Sequence, residues 1–138
     1  SGIAMALEAE APGLRARPCE PEEFDDTTRS LASGTIQRNA RLAGSLCDAI
    51  ITPQPGEITF PIMKRLCGPG IVVSEDEALR AMAAAFNHLR VVIEPGGAVA
   101  LAAALFHPRE IEGDTVIAVA SGGNVDAEVY QGALSRFA

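Results

Sequence analysis

Apolar positions recur along this chain in short blocks, with helical spacing alternating with brief β-branched runs. Ile3, Met5 and Leu7 in Ala-rich sequence predict an opening helix of about ten residues, closed by Ala11-Pro12-Gly13. Side-chain character alternates from Leu14 to Cys19, which predicts a strand. An acidic loop leads to a short helix near Thr27–Ala32, stopped by Ser33-Gly34. The stretch Gln37–Ala49 is ambiguous, and Thr52-Pro53-Gln54-Pro55-Gly56 breaks regular structure. Ile58, Phe60, Ile62, Met63 and Leu66 form a helical stripe that ends at Cys67-Gly68-Pro69-Gly70.

The second half of the chain repeats this alternation more cleanly. Ile71-Val72-Val73 is long enough only for a buried strand. Ser74-Glu75-Asp76-Glu77 is a capping box, and the helix behind it runs through Leu79, Met82, Ala83, Phe86 and Leu89. His88 and Arg90 fall in its expected last turn, where cations suit the helix dipole. Glu94-Pro95-Gly96-Gly97 opens an Ala-rich helix that ends before Pro108. Thr115–Ala120 is the strongest strand signal in the chain. Ser121-Gly122-Gly123-Asn124 follows it, and a last helix begins near Asp126. No hairpin turn or internal repeat interrupts the alternation. The fold class expected is α/β, a three-layer open and mainly parallel sheet with helices on both faces.

Composition narrows the function classes. The 138 residues are 48% hydrophobic, 21% charged and carry a net charge of −7. That fits one α/β domain over residues 1–138. It disfavours nucleic acid and anionic membranes as partners, since both call for clustered cations. No apolar run approaches the roughly 20 residues of a membrane span, and no secretory signal opens the sequence shown. Cys19, Cys47 and Cys67 lack CxxC spacing, so neither a zinc site nor a disulfide framework is indicated, and a reducing, cytoplasmic setting is expected. The chain starts at Ser1 without an initiator Met and reads as a piece of something longer.

Candidate chemistry lies in loops that follow strands, where open α/β sheets bind ligands. Ser121-Gly122-Gly123-Asn124 puts a hydroxyl at a strand end beside glycines that admit close backbone approach. The same residues also read as a plain strand-to-helix turn with Asn124 or Asp126 as N-cap. They match neither GxGxxG nor GxxxxGK[ST]. Glu20, Glu22, Glu23, Asp25 and Asp26 crowd one loop, and hard oxygens in that number suit Mg²⁺ or Ca²⁺. From spacing alone, a solvated loop preceding a helix N-terminus is the favoured reading. No GxSxG motif or Ser–His–acid set is present; His88, His107, Tyr130 and the phenylalanines read as structural. Taken alone, the residues describe a ligand-binding α/β half-site without a complete catalytic set.

Several motifs together carry a resemblance. Glu94-Pro95-Gly96-Gly97-Ala98, followed about twenty-five residues later by Val119-Ala120-Ser121-Gly122-Gly123-Asn124-Val125-Asp126, resembles the C-terminal half of the threonine/serine dehydratase and serine racemase family. These are pyridoxal-phosphate enzymes of fold type II. Ser1-Gly2-Ile3-Ala4 is similar to the segment after the family's phosphate loop. Cys19-Glu20-Pro21 with Asp25-Asp26, Gly56–Ile62 and Val73–Glu77 also match in order and spacing.

The resemblance implies roles. Ser121 would hydrogen-bond the pyridine nitrogen of pyridoxal phosphate, Gly122 would bring the backbone up to the cofactor, and Glu94 would lie near its ring. A divalent cation, Mg²⁺ or Ca²⁺, would take Glu20, the Phe24 carbonyl and Asp26. The implied reaction removes the α-proton and β-hydroxyl of a hydroxy amino acid and releases a 2-keto acid and ammonia. The family's Schiff-base lysine, small domain and phosphate loop have no counterpart here, and Lys64, the only lysine, matches no catalytic position. Cys47-Asp48-Ala49 stands where relatives carry Ala-Asp-Gly. The expectation is therefore the large-domain portion of a longer enzyme, with no catalytic residue of its own and inactive in isolation. Its partners would be the N-terminal remainder of the same protein, a small amino acid substrate and further copies in a homo-oligomer. A racemase parent, or a non-catalytic binding or assembly module, is the alternative.

Overall fold

The computed structural model describes residues 1–137. Their contacts group into two compact units, one formed by Ser1–Leu42 with Thr52–Val72, the other by Ala43–Ile51 with the chain from Val73 onward.

The first unit holds α1 (Gly2–Glu10), β1 (Cys19–Pro21), α2 (Asp26–Ser33), α3 (Thr59–Leu66) and the start of β2 (Ile71–Val73). β1 and β2 are neighbours in a two-stranded sheet. The amide of Gly68 donates to Ala16 O and that of Ile71 to Pro18 O, both at 2.9 Å, so the bonded pairs climb together and the strands run parallel. Pairing thus begins near the expected start of the first strand, although the regular part is only its carboxyl end, Cys19–Pro21. Phe24, Ile71 and Phe60 are buried in this unit. α1 packs on α3, with Glu8 paired to Arg65 at the exposed edge. Gly34 closes α2 in the left-handed conformation at φ 74°, the role its Ser33-Gly34 stop predicts.

The second unit is helical: α4 (Glu75–Ala84), α5 (Pro95–Phe106) and α6 (Ala127–Phe137), with short turns at Asp48–Ile50 and Pro108–Glu110. α4 packs against both α5 and α6. Ala78, Ala81, Ala83, Ala98, Ala102 and Ala103 are buried, small side chains that let two helix surfaces meet closely. The capping box forms: Ser74 Oγ accepts from the Glu77 amide at 3.2 Å, and Glu77 Oε2 accepts from the Ser74 amide at 2.8 Å. Phe86 meets Tyr130 edge to face at 5.9 Å. No helix among the described residues is long and apolar enough to cross a membrane.

Two expectations are corrected. The helix after Ser74 keeps His88 in its last turn, but that turn is not regular and does not include Arg90. It widens into a π-helical turn at Ala85–Leu89, and Arg90 stands outside it at φ 58°. Periodicity cannot show this, because one inserted residue leaves the apolar spacing upstream intact. Thr115–Ala120 joins no sheet among the described residues, and Ile117 is 74% exposed. A β-branched run has the side chains of a strand, but a strand also requires a backbone neighbour, and none is supplied here. The class, mixed helix and sheet with parallel pairing, holds.

His107 joins the two ends of the α4–α5 pair. Its Nδ1 lies 2.9 Å from Glu110 Oε1 and its Nε2 3.2 Å from Glu77 Oε1. The hydrogen bond to Glu110, and after it the Glu77 carboxylate, outweigh desolvation and hold the imidazole pKa above its ordinary 6.5. Burial pushes the Glu77 carboxyl up, but the Ser74 amide and His107 outweigh it and leave a net lowering. A histidine pKa raised by folding adds stability that is complete below 6.5 and is lost as pH climbs through the folded value. The ring titration followed by NMR is therefore expected above 6.5. The melting temperature should fall across that window, and His107→Gln should remove this part of the slope. A ring titrating at or below 6.5 would contradict the arrangement.

Candidate functional site

In the first unit, the acidic loop organises the start of α2. Glu20, at the centre of β1, reaches over the helix N-terminus. Its Oε1 accepts from the Thr27 amide at 3.0 Å, and its Oε2 from the Thr28 amide and Thr28 Oγ1, both at 2.7 Å. A side chain seven residues upstream thus satisfies orphan N–H groups that Asp25, at the N-cap position, leaves unbonded by its side chain. Asp25 instead pairs with Arg29 at 3.1 Å. Glu23 adopts φ 66°, a conformation unusual for a non-glycine residue, and Phe24 turns inward beside it, 2% exposed.

Asp26 is 1% exposed. Its Oδ1 accepts from Asn39 Nδ2 at 2.7 Å, while its Oδ2 has no hydrogen-bond partner. Desolvation, then the nearby Glu20 charge, raise its pKa. Asn39 is the residue that sequence reading missed. Besides Asp26 it donates to Thr52 O at 2.8 Å and accepts from Arg29 at 2.5 Å. Its only signal was a lone Asn within an unassigned stretch. Glu22 stays exposed.

These residues present two neighbouring carboxylates and an orphaned buried oxygen. No group of three or more His, Cys, Asp or Glu side chains able to hold a metal occurs among the described residues. The donor set Glu20, Phe24 carbonyl and Asp26 is one of hard oxygens. Glu20 Oε1 carries one hydrogen bond and so retains an acceptor lone pair.

In the second unit, Glu94 and the Ser121 loop meet through glycine. Glu94 is the N-cap of α5, with Pro95 at the first helical position. Its amide donates to Gly122 O at 2.9 Å. A Cβ on Gly97 would lie 2.8 Å from Gly122 O and 2.9 Å from Gly122 N; one on Gly123 would lie 2.8 Å from Val92 O; and one on Gly122 would overlap the Glu94 carboxylate. Three glycines therefore set the separation between the start of α5 and the 121–124 loop. The turn Asp48–Ile50 packs on α5, where a Cβ on Gly96 would touch Ile50 at 3.4 Å and Ala49 at 3.7 Å. Cys47 before it is fully buried, and burial pushes its thiol up to about 11, which leaves it inert. Cys19 is likewise pushed up to about 11 by burial.

Ser121 is exposed and its hydroxyl has no hydrogen-bond partner among the described residues. Gly122 and Glu94 are half-buried beside it. A hydroxyl left open on a backbone fixed by glycine contacts suits a ring-nitrogen acceptor, so these residues fit the cofactor that the resemblance implies. Lys64 belongs to the other unit, where its ammonium donates to Gly34 O at 2.9 Å.

Comparison with known proteins agrees in kind. Residues 1–122 match the family described as pyridoxal-phosphate dependent enzyme. The chain is 36% identical over 129 residues to serine racemase of Dictyostelium discoideum, covering 91% of this chain and 40% of that protein. It is 33% identical over 128 residues to the catabolic L-threonine dehydratase of Escherichia coli, covering 91% and 39%. The structure of maize serine racemase superposes with a TM-score of 0.84 at 31% identity, covering 99% of this chain and 43% of that one. The chain spans about 40% of the length of the curated relatives it matches.

Proposed function

The chain belongs to the pyridoxal-phosphate dependent enzymes, and on that premise we propose that it forms part of an ammonia-lyase for a small hydroxy amino acid, of the threonine and serine dehydratase kind. The observation that carries this reading is the unpartnered Ser121 hydroxyl on a loop whose position is set by Gly97, Gly122 and Gly123. Pyridoxal phosphate, when bound, supplies the conjugated ring that acidifies the substrate's α-carbon. Ser121 would offer that ring's nitrogen a hydrogen bond while keeping its own proton, since an aliphatic hydroxyl does not ionise near neutrality. Ser121 would thereby leave the ring a weaker electron sink, a setting that suits loss of a β-hydroxyl. Glu94 holds the loop through its amide while its carboxylate covers Gly122. Racemisation is the second reading, supported by the likeness to a serine racemase.

The lysine that anchors the cofactor is proposed to lie in the part of the longer enzyme outside these residues, since the chain spans about 40% of its relatives' length and Lys64 matches no catalytic position of the family. That remainder, and further copies of the enzyme, are the proposed covers for exposed Val92, Val116, Ile117 and Val119. A hard divalent cation is proposed at Glu20, the Phe24 carbonyl and Asp26, supported by the orphaned Asp26 oxygen and the repulsion it shares with Glu20.

Two experiments test these readings. Pyridoxal phosphate is added, the mixture reduced with borohydride and the adduct mapped by mass spectrometry. The expected result is no specific adduct on Lys64 in the 138-residue chain. In the longer enzyme, one specific adduct is expected, with ammonia and a 2-keto acid from serine or threonine. A stoichiometric Lys64 adduct, or a parent that turns over no hydroxy amino acid, would overturn the reading. For the cation, Mg²⁺ or Ca²⁺ should raise the melting temperature in a saturable way, and Asp26→Asn should abolish the rise. Equal melting with cation and with chelator would refute it.

A further inference from the structure

The first unit contains a cleft that the lyase reading does not use. It lies beside α2 and the segments leading into β1 and β2, with a volume of about 290 Å³, and is lined by Arg15, Lys64, Thr28, Leu31, Pro69 and their neighbours. In a chain of net charge −7, no Asp or Glu lines it. Three other cations of this unit are each paired with a carboxylate: Arg29 with Asp25, Arg41 with Glu23 and Arg65 with Glu8. Among the described residues, Arg15 and Lys64 are bonded only to main-chain carbonyls, Arg15 Nη2 to Cys67 O at 3.5 Å and Lys64 Nζ to Gly34 O at 2.9 Å. One bond apiece leaves the guanidinium fork and the ammonium with donors to spare.

Glycines hold both cations close to the main chain. A Cβ on Gly34 would lie 3.2 Å from Lys64 Nζ, and one on Gly68 would lie 3.4 Å from Arg15 Nε. Gly70 packs so tightly on Thr28 that any side chain there would overlap it. The cleft's rim is thereby built of backbone, α2 and two cations. Leu31 and Pro69 add an apolar wall. A planar fork, a point charge and an apolar wall within a volume near the lower end of small-ligand pockets match one kind of guest.

We propose that this cleft is a binding site for a small organic oxyanion, a phosphate or carboxylate head on a short body, held between Arg15 and Lys64. Its lining includes the segments that precede both strands, whereas the acidic loop follows the carboxyl end of β1. Thr28 lies between the two sites, lining the cleft while its hydroxyl donates to Glu20 Oε2, but neither Glu20 nor Asp26 lines the cleft itself, and the proposal stands whether or not the lyase reading does.

The test is a titration of the isotope-labelled 138-residue chain, followed by NMR at constant ionic strength, with inorganic phosphate in one arm and malonate in the other. Saturable movement of the Gly34, Gly68 and Gly70 amides is expected in at least one arm, and the responding arm identifies the head group. Lys64→Gln and Arg15→Gln should each weaken it by about tenfold. Arg38→Gln, a cation bonded to Gln54 outside the cleft, should leave it unchanged. Both substituted residues are exposed, so the amide spectrum elsewhere should persist and reports folding directly. Unmoved glycine amides in both arms, or undiminished affinity in the Lys64 and Arg15 variants, would overturn the proposal.

Discussion

The candidate cofactor site depends on one contact, the approach of Gly97 in the first turn of α5 to the backbone of Gly122. Main chain meets main chain there with no room for even a methyl group. The Glu94 amide then bonds Gly122 O, and the Glu94 carboxylate closes over Gly122. A loop that would otherwise follow an unpaired extended segment is thereby tied to a helix that is itself packed on α4. Ser121 owes its position to this arrangement, since its side chain forms no bond of its own among the described residues. An open hydroxyl on a tethered backbone is a pre-organised ligand group, and pre-organisation lowers the ordering cost of binding.

The acidic loop solves a different problem with the same economy. Glu20 supplies the cap that α2 lacks locally, and the geometry that lets it do so brings its charge near Asp26. Asn39 and Ser30 then stabilise the surroundings of a carboxylate taken almost wholly out of water. Ser30 Oγ donates to Asp26 O at 2.5 Å and accepts from the Gln37 amide at 2.8 Å. One Asp26 oxygen remains unsatisfied, which is costly unless a proton or a cation meets it.

Local signals in the sequence were legible where the deciding physics is local. The Ser74–Glu77 box, the Ser33-Gly34 stop and the Glu94-Pro95 entry each act within one turn of helix, and each forms as expected. Features set by distant neighbours were not. Thr115–Ala120 carries strand-forming side chains yet joins no ladder among the described residues, because pairing depends on a partner the run itself cannot supply. The π-helical turn at Ala85–Leu89 leaves no trace in apolar spacing. Asn39, flanked by arginine and alanine, shows its role only when Asp26 and Thr52 are brought to it. Ser121, Gly122 and Glu94 were named from a motif, but Gly97 as the point of closest backbone approach emerged only in three dimensions.

Melting the Gly97→Ala variant tests the glycine contact most directly. In an ordinary exposed helix, that exchange stabilises by about 1 kcal/mol, because alanine is the better helix former. Here the new methyl group would sit 2.8 Å from Gly122 O, and overpacking against backbone is expected to outweigh the gain. The account predicts a melting temperature lowered by about 5 °C or more, with the Ser121 and Gly122 amide resonances displaced. A variant that melts at or above the native temperature with those resonances in place would show that the contact does not position the loop.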